Sequence, residues 1–375
     1  MERLHDDGGK ELNLSVELCG LSLANPLILA SGPLSSSAEA VQAAFKAGAA
    51  AVVTKTISSR PAVNPVPHIA RVGKGILLNM EGWSDLTPDA WIEKGLPALR
   101  ERDGILIASV GHTAADAKAL AGPLEAAGAD AIEVVSYSAE DMPALVRSAR
   151  AAVDIPILAK ISPNWPNVLE VVEEVLREGA DGITAIDSVG PALRIDVFTG
   201  RPVLNRPAWL SGRPIRPIAQ RIVADIALRY DVPVVGTGGV IRGKEAIEML
   251  MAGATAVGVH TAPLLQGLGF FRKALDEMRK FMEAQGYTDI AQISGFALPC
   301  LQAPPKATAL TFSFDAHRCT LCNLCVDLCP YQARHLVEDT MQIDLARCRF
   351  CGLCATVCPQ DAISYEPVHE KDLGG

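Results

Sequence analysis

Eight cysteines towards the C-terminal end of this 375-residue chain stand in two runs of identical spacing. The first, CTLCNLCVDLCP, covers Cys319 to Pro330, and the second, CRFCGLCATVCP, covers Cys348 to Pro359. Each reads C-x2-C-x2-C-x3-C-P. Three cysteines so spaced can wrap one face of a cubic iron–sulfur cluster, and the fourth lies too far along the chain and ligates the other cluster. The spacing predicts one [4Fe–4S] centre on Cys319, Cys322, Cys325 and Cys358, and a second on Cys348, Cys351, Cys354 and Cys329. Pro330 and Pro359 turn the chain after each crossed-over ligand. A zinc or disulfide module is the alternative, but zinc needs only four ligands and a duplicated, proline-terminated run is more specific than one CxxC. Cys19, in the apolar stretch VELCGLSL, reads as a small core residue, and Cys300 as an idle thiol beside a linker.

A second set of reactive side chains is scattered, and only the elements that carry it can bring it together. Short runs rich in Val and Ile predict strands at 26–31, 50–56, 104–110, 131–136, 156–162, 182–187, 233–239 and 256–261. Amphipathic stretches such as SAEAVQAAFKAG, PNVLEVVEEVLREG and RGKEAIEMLMAG lie between them and end in Gly, as helices often do. This alternation predicts an α/β chain: a (β/α)8 TIM barrel over residues 1–300, followed by a bacterial-type two-cluster ferredoxin-like domain over 301–375. A doubly wound open sheet is the other arrangement with this pattern. The barrel is preferred because Ser31, Lys55, Thr56, Lys160, Asp187 and Thr237 all fall at C-terminal strand ends, the active-site face of a barrel. The opening LSVELCGLSLANP reads as a hairpin closing the other end, and CLQAPPKAT as the link between domains. GTGGV after the seventh strand and VHTAP after the eighth suggest a phosphate held on backbone N–H groups.

Composition narrows the function classes. Asp and Glu number 43 against 34 Lys and Arg, for a net charge of −9, which argues against a nucleic-acid partner. The polar start MERLHDDGGK carries no apolar core of a secretory signal, and no apolar run is long enough for a membrane span. A cytoplasmic, reducing location is expected, where clustered cysteines bind metal rather than pair.

The ordered motifs NPLILASGPLSSS, TKT, LLNMEGW, AKISPN, SGRPIRPIA and GTGGV resemble the FMN barrel of the dihydroorotate and dihydropyrimidine dehydrogenase family, and residues 312–366 resemble bacterial two-cluster ferredoxins. The resemblance covers nearly the whole chain. It implies one FMN across the barrel top, with Ala30, Ser31 and Gly32 along the flavin, Lys55 and Thr56 in contact with it, and Lys160 near its pyrimidine edge. Ser211 and Gly212 would line the flavin, and Gly238, Gly239, Thr261 and Ala262 would hold its phosphate. For Lys55 and Lys160 the plainer reading is a lysine snorkelling at a strand end. The resemblance also implies a homodimer, and a reaction at a CH–CH or C=C bond of a small unsaturated compound, with electrons relayed through the clusters.

Asn79 and Glu81 match substrate-facing positions of the family, and Asp187-Ser188 stands where the dihydropyrimidine enzymes carry Asn-Thr. The family's Asn-x-Ser-Cys-Pro segment, with its long catalytic loop, is replaced after the fourth strand by IEVVSYSAEDMP, which runs straight into a helix. The usual Cys or Ser acid/base therefore has no counterpart. Tyr137, His112 and Glu81 are the catalytic candidates, with Asp187 and His260 also at strand ends; Glu133 reads as a buried positioning residue. A rim aromatic and a capping histidine are the plainer readings of Tyr137 and His112. NPVPH and NRPAWLSGRP read as proline-rich loops over the mouth, where Trp83, Arg206, Trp209 and Arg213 could shape a pocket. No dinucleotide fingerprint appears in a strand–turn–helix setting, so an NAD(P)H-oxidising flavoprotein subunit or a ferredoxin is the expected electron partner. Three functions remain open: a pyrimidine-type enzyme, a reductase of another enone, enamide or cyclic unsaturated acid, and an electron-transfer subunit without substrate chemistry.

Overall fold

The computed structural model describes residues 12–302 and 307–369. The polar stretch at 1–10 and the middle of the proline-containing link, 303–306, lie outside the described residues. The chain divides into two compact units, Met1–Pro299 and Cys300–Gly375.

In the first unit eight parallel strands close into a barrel in chain order: Leu27–Leu29, Ala51–Val53, Ile105–Gly111, Ala131–Val135, Ile157–Ile161, Gly182–Ala185, Val234–Thr237 and Ala256–Val259. The eighth returns to the first, with Gly258 opposite Ile28. The open sheet is thereby excluded. Strands buried on both faces need no polar alternation, and the fifth, ILAKI, is buried at every position. Helices Ala38–Lys46, Val168–Arg177 and Gly243–Met251 form where their apolar periodicity predicts, and each stops just before a glycine with positive φ, Gly48, Gly179 or Gly253. The hairpin Val16–Leu18 and Leu21–Leu23 packs Leu18 and Leu23 onto Ile28, Ile107, Leu158 and Val235. Cys19 donates to the Asp181 carbonyl at 3.3 Å, and burial, with Asp181 nearby, pushes its thiol up to about 12.

One expectation needs correction. NRPAWLSGRP is not all loop: Ala208–Gly212 is a strand in a four-stranded antiparallel sheet with Val189–Ala192, Ile76–Asn79 and Ile69–Gly73. Trp209 pairs with Asn79 and Leu210 with Leu78. Leu78, Met80, Leu204 and Ala208 give this sheet a small core of its own. NPVPH is a loop, immediately before the Ile69 strand.

The second unit is an internal duplication. Each cysteine run carries one short helix, Leu324–Asp327 or Leu353–Thr356, and the unit is framed by the antiparallel pair Ala307–Phe314 and Ile363–His369. Left-handed backbone recurs at equivalent repeat positions: Leu321 and Phe350, Asn323 and Gly352, Gln332 and Asp361.

Gly243 opens its helix tightly against helix Phe270–Gln285: an added Cβ would lie 2.2 Å from the Ala274 carbonyl oxygen. Gly243→Ala is expected to destabilise the barrel by about 1–3 kcal/mol through overpacking. A fall in the urea midpoint followed by tryptophan fluorescence checks this.

Candidate active site

Two cavities open at the C-terminal strand ends. The larger, about 330 Å3, includes Ser31, Lys55, Thr56, Asn79, Glu81, His112, Tyr137, Lys160, Asp187 and Ser188 in its wall. The smaller, about 110 Å3, includes Ala30, Ser31, Lys160, Ser211, Gly212, Gly238, Gly239 and Thr261. Ser31, Lys160, Asp187 and Ser188 belong to both, so the two are continuous. Gly32 and Ala262 line neither cavity. Gly32 lies under the His260 ring, where a Cβ would come within 2.5 Å of ring atoms, and Ala262 is buried behind the smaller cavity.

The cations are paired. Lys55 Nζ donates to Glu81 Oε2 at 2.7 Å, with both side chains about nine-tenths buried. Burial lowers the Lys55 pKa, against the pull of Glu81. Lys160 Nζ lies 3.5 Å from Asp187 Oδ1. Burial works against its charge too, but Asp187 and Glu133 outweigh it and hold the Lys160 pKa up. Glu133 is buried beneath, where it accepts from Thr184 Oγ1 at 3.0 Å and Ser109 Oγ at 3.4 Å. Burial raises its pKa. Thr56 links Ser109 (3.0 Å) to Ser31 (3.4 Å) and completes a band of polar contacts across the barrel mouth.

The opposite wall is aromatic. His112 stacks on Tyr137 with centroids 4.3 Å apart at 19°, and meets the Trp83 ring edge-on at 5.1 Å. Both imidazole nitrogens are buried without a protein partner among the described residues. Burial pushes the His112 pKa down to about 4, so the ring is neutral at pH 7. Tyr137 is 61% exposed as a residue, but desolvation at its hydroxyl, then Asp187, raises that group above the ordinary tyrosine value. His260 faces only the smaller cavity; its Nδ1 is 2.8 Å from the Ala30 carbonyl oxygen, and burial lowers its pKa to about 4. That hydrogen bond puts the ring proton on Nδ1.

Two positioning residues went unread in the sequence. Asp116 accepts from the backbone N–H of Ser59 (2.9 Å) and His112 (3.0 Å) and from the Thr113 hydroxyl (2.8 Å), tying the His112 loop down. Burial opposes its ionisation, but these hydrogen bonds prevail and lower its pKa to about 2. The Thr-x-x-Asp capping box was the available signal. Asn164, the last residue of AKISPN, donates to the Ser188 carbonyl at 3.0 Å and accepts from Gly190 N–H at 2.9 Å. Among the proposed mouth residues, Trp83, Arg206 and Trp209 line an adjoining groove of about 360 Å3, and Arg213 lines none of these cavities.

In the second unit Cys319, Cys322, Cys325 and Cys358 ring one apolar cavity, and Cys329, Cys348, Cys351 and Cys354 ring another. Among the described residues no three His, Cys, Asp or Glu side chains converge closely enough to hold a single metal ion. Backbone N–H groups donate to sulfur from Leu321 to Cys319, Ala362 to Cys358, Phe350 to Cys348 and Ala333 to Cys329, at 3.2–3.4 Å. Such bonds stabilise thiolate ligands.

Residues 13–282 match the family model for dihydroorotate dehydrogenase. The chain belongs to the dihydroorotate dehydrogenase family. Residues 318–362 match a 4Fe-4S dicluster domain. Among curated proteins, the dihydroorotate dehydrogenase B (NAD(+)) catalytic subunit of Pyrococcus furiosus is 32% identical over 305 residues, 76% of this chain and 99% of that protein. That of Methanothermobacter thermautotrophicus is 34% identical over 302 residues, 76% of this chain and 98% of its own length. That of Bacillus pumilus is 30% identical over 299 residues, 75% of this chain and 96% of its own length. The chain is thus a flavin and iron–sulfur oxidoreductase of this family.

The residues present fit FMN, the family's cofactor. The backbone N–H groups of Gly238, Gly239 and Thr261 have no protein acceptor among the described residues, and the buried Thr237 Oγ1 has no partner. Free donors around a glycine-lined hollow suit a phosphate. Gly239 has φ +78°, and a Cβ there would meet the Arg216 backbone N at 2.6 Å. Gly239→Ala is expected to weaken FMN binding at least tenfold, from backbone strain of about 1–3 kcal/mol. Fluorescence of flavin released from purified protein, with circular dichroism as the fold control, measures it.

Proposed function

We propose that the chain exchanges hydrogen with the CH–CH or C=C bond of a small unsaturated, pyrimidine-like ring, using FMN and two [4Fe–4S] clusters. The observation that carries this reading is the larger cavity, where two lysine–carboxylate pairs, Asn79 and the His112–Tyr137 stack face a common space. A scaffold subunit without substrate chemistry has no use for so many convergent polar groups. When bound, FMN supplies hydride exchange with carbon and single-electron exchange with the clusters. The chain's own residues do the rest. Asn79 Oδ1 accepts from Glu81 N–H at 2.6 Å, which leaves its amide NH2 for a ring carbonyl. Asp187 accepts only, and so suits a ring N–H. Lys160 holds a fixed positive charge where the two cavities meet.

Carbon at a reduced double bond also needs a proton. Tyr137 is the donor we assign: its side chain lines the cavity, and its raised pKa keeps the hydroxyl protonated through neutral pH. Neutral His112, stacked against it, sets the ring's orientation. This arrangement also supports a second reading, an enone, enamide or cyclic acid in place of a pyrimidine, because Tyr137 stands where the family's cysteine loop is missing. The relatives above are each named a catalytic subunit, which supports a separate NAD(P)H-oxidising flavoprotein subunit, or a ferredoxin, as electron partner. A homodimer follows the family resemblance. A cytoplasmic, reducing location suits clustered cysteines that serve as metal ligands. No helix among the described residues is long and apolar enough to cross a membrane.

The test is anaerobic titration of the flavin with uracil, thymine, orotate, their dihydro forms and a panel of enones. Reoxidation of reduced flavin by one of the pyrimidines establishes the first reading, and by an enone alone the second. Indifference to all of them, with turnover by partner proteins, overturns both. Tyr137→Phe is expected to slow carbon reduction about 10²–10⁴-fold while flavin content stays unchanged. His112 is neutral above about pH 4, so the wild-type rate should lack a step near pH 6.5. The alkaline limb that comes from Tyr137 losing its proton should lie above the ordinary tyrosine range and should vanish in the Phe variant, leaving any limb that comes from Lys55, whose pKa burial lowers.

A further inference from the structure

The two halves of the cysteine unit can be compared residue by residue. In CPYQAR and CPQDAI the register sets Cys329 against Cys358, Ala333 against Ala362, and Arg334 against Ile363. The backbone agrees with this register, since Gln332 and Asp361 share the left-handed conformation, with φ 51° and 47°. The amide–sulfur bonds are matched too. Ala333 and Ala362 donate to Cys329 and Cys358 at 3.3 and 3.2 Å, and Phe350 and Leu321 to Cys348 and Cys319 at 3.4 Å each. Each quartet thus receives two equivalent bonds. The halves differ at several side chains, but among the described residues one difference puts a charged group against a ligand sulfur. Arg334 Nη2 donates to Cys354 Sγ at 2.9 Å, whereas Ile363 presents hydrocarbon to the other cavity.

Arg334 is 3% exposed and is the one buried polar or charged side chain of this unit among the described residues. Its guanidinium stacks over the Phe312 ring at 4.2 Å, and among the described residues no carboxylate lies within salt-bridge distance. A buried cation without an opposite charge is costly. The negative charge it faces must therefore be the thiolate ligand set of the second quartet. A fixed positive charge beside a cluster favours the state with one more electron, because adding an electron makes the cluster more negative.

We propose that Arg334 makes the cluster held by Cys329, Cys348, Cys351 and Cys354 the higher-potential member of the pair. An electron on the first cluster then moves downhill to the second: one centre loses one electron, the other gains it, and no bond or proton changes place. Arg334 thereby sets the direction of electron flow within the unit. This inference rests on the two-cluster reading above.

The experiment is a mediated redox titration of the intact, cluster-loaded chain by electron paramagnetic resonance, with iron and sulfide counted in the same samples. Wild type should show two distinguishable one-electron couples. Arg334→Ile, which copies the first half, should move the higher couple down by at least 59 mV, tenfold in its equilibrium constant, and leave the lower in place. Arg334→Lys keeps the charge and should move it less, which guards against loss of the cluster in the Ile variant. About eight irons per chain with both couples unmoved, or both moved equally, overturns the role of Arg334. About four irons per wild-type chain overturns the two-cluster reading instead.

Discussion

Two ammonium groups buried at the ends of apolar strands set the terms for the rest of the barrel mouth. Neither Lys55 nor Lys160 can keep its charge there without a nearby carboxylate, and the fold supplies each from a different element. Glu81 follows the strand Ile76–Asn79 of the antiparallel sheet, and Asp187 follows the sixth barrel strand. The excursion of the chain into that sheet is therefore part of the site. It brings Asn79, Glu81 and Trp209 over the strand ends while its apolar residues pack together below. Glu133 adds charge compensation beneath Lys160 and accepts from hydroxyls of the third and sixth strands. The cavity thus sets a polar wall nearly balanced in charge against an aromatic one.

The parts of this architecture that were legible in sequence are those written locally. Barrel strands announce themselves as runs of Val and Ile, and Lys55 and Lys160 stand out because they interrupt or end such runs. The cysteine spacing carries its geometry directly, and the structure gathers the two quartets around separate cavities. The antiparallel sheet was not legible, because two of its pairings are local and lie in segments punctuated by Pro and Gly, while its central pairing, Trp209 with Asn79, joins residues more than a hundred positions apart. Asp116 and Asn164 escaped for a related reason. Asp116 had its capping box as a local signal, but its bond from Ser59 N–H, like those of Asn164 to Ser188 and Gly190, reaches a loop that nothing in composition shows to be near. At Gly32 the structure adds a packing reason the sequence did not show: the missing side chain makes room for the His260 ring.

The two units handle different particles, and their buried charges differ accordingly. In the barrel, burial lowers the pKa of both His112 and His260, so neutral rings meet the cavities while the fixed charges come as pairs. That suits chemistry in which a proton must be delivered at one place and kept from others. In the cysteine unit, by contrast, Arg334 is the one buried polar or charged side chain among the described residues. A duplicated fold has a physical consequence here. Two halves with the same backbone and the same amide–sulfur bonds would hold two clusters at nearly equal potential, and an electron would have no preferred side. Equal sites conduct in either direction with little bias, whereas a single buried cation on one side breaks the tie without altering the ligands, the backbone or the other half. Arg334 fits this fold because its guanidinium plane packs on Phe312 while its N–H reaches sulfur, so the halves keep matching backbone while the charge beside their sulfurs differs.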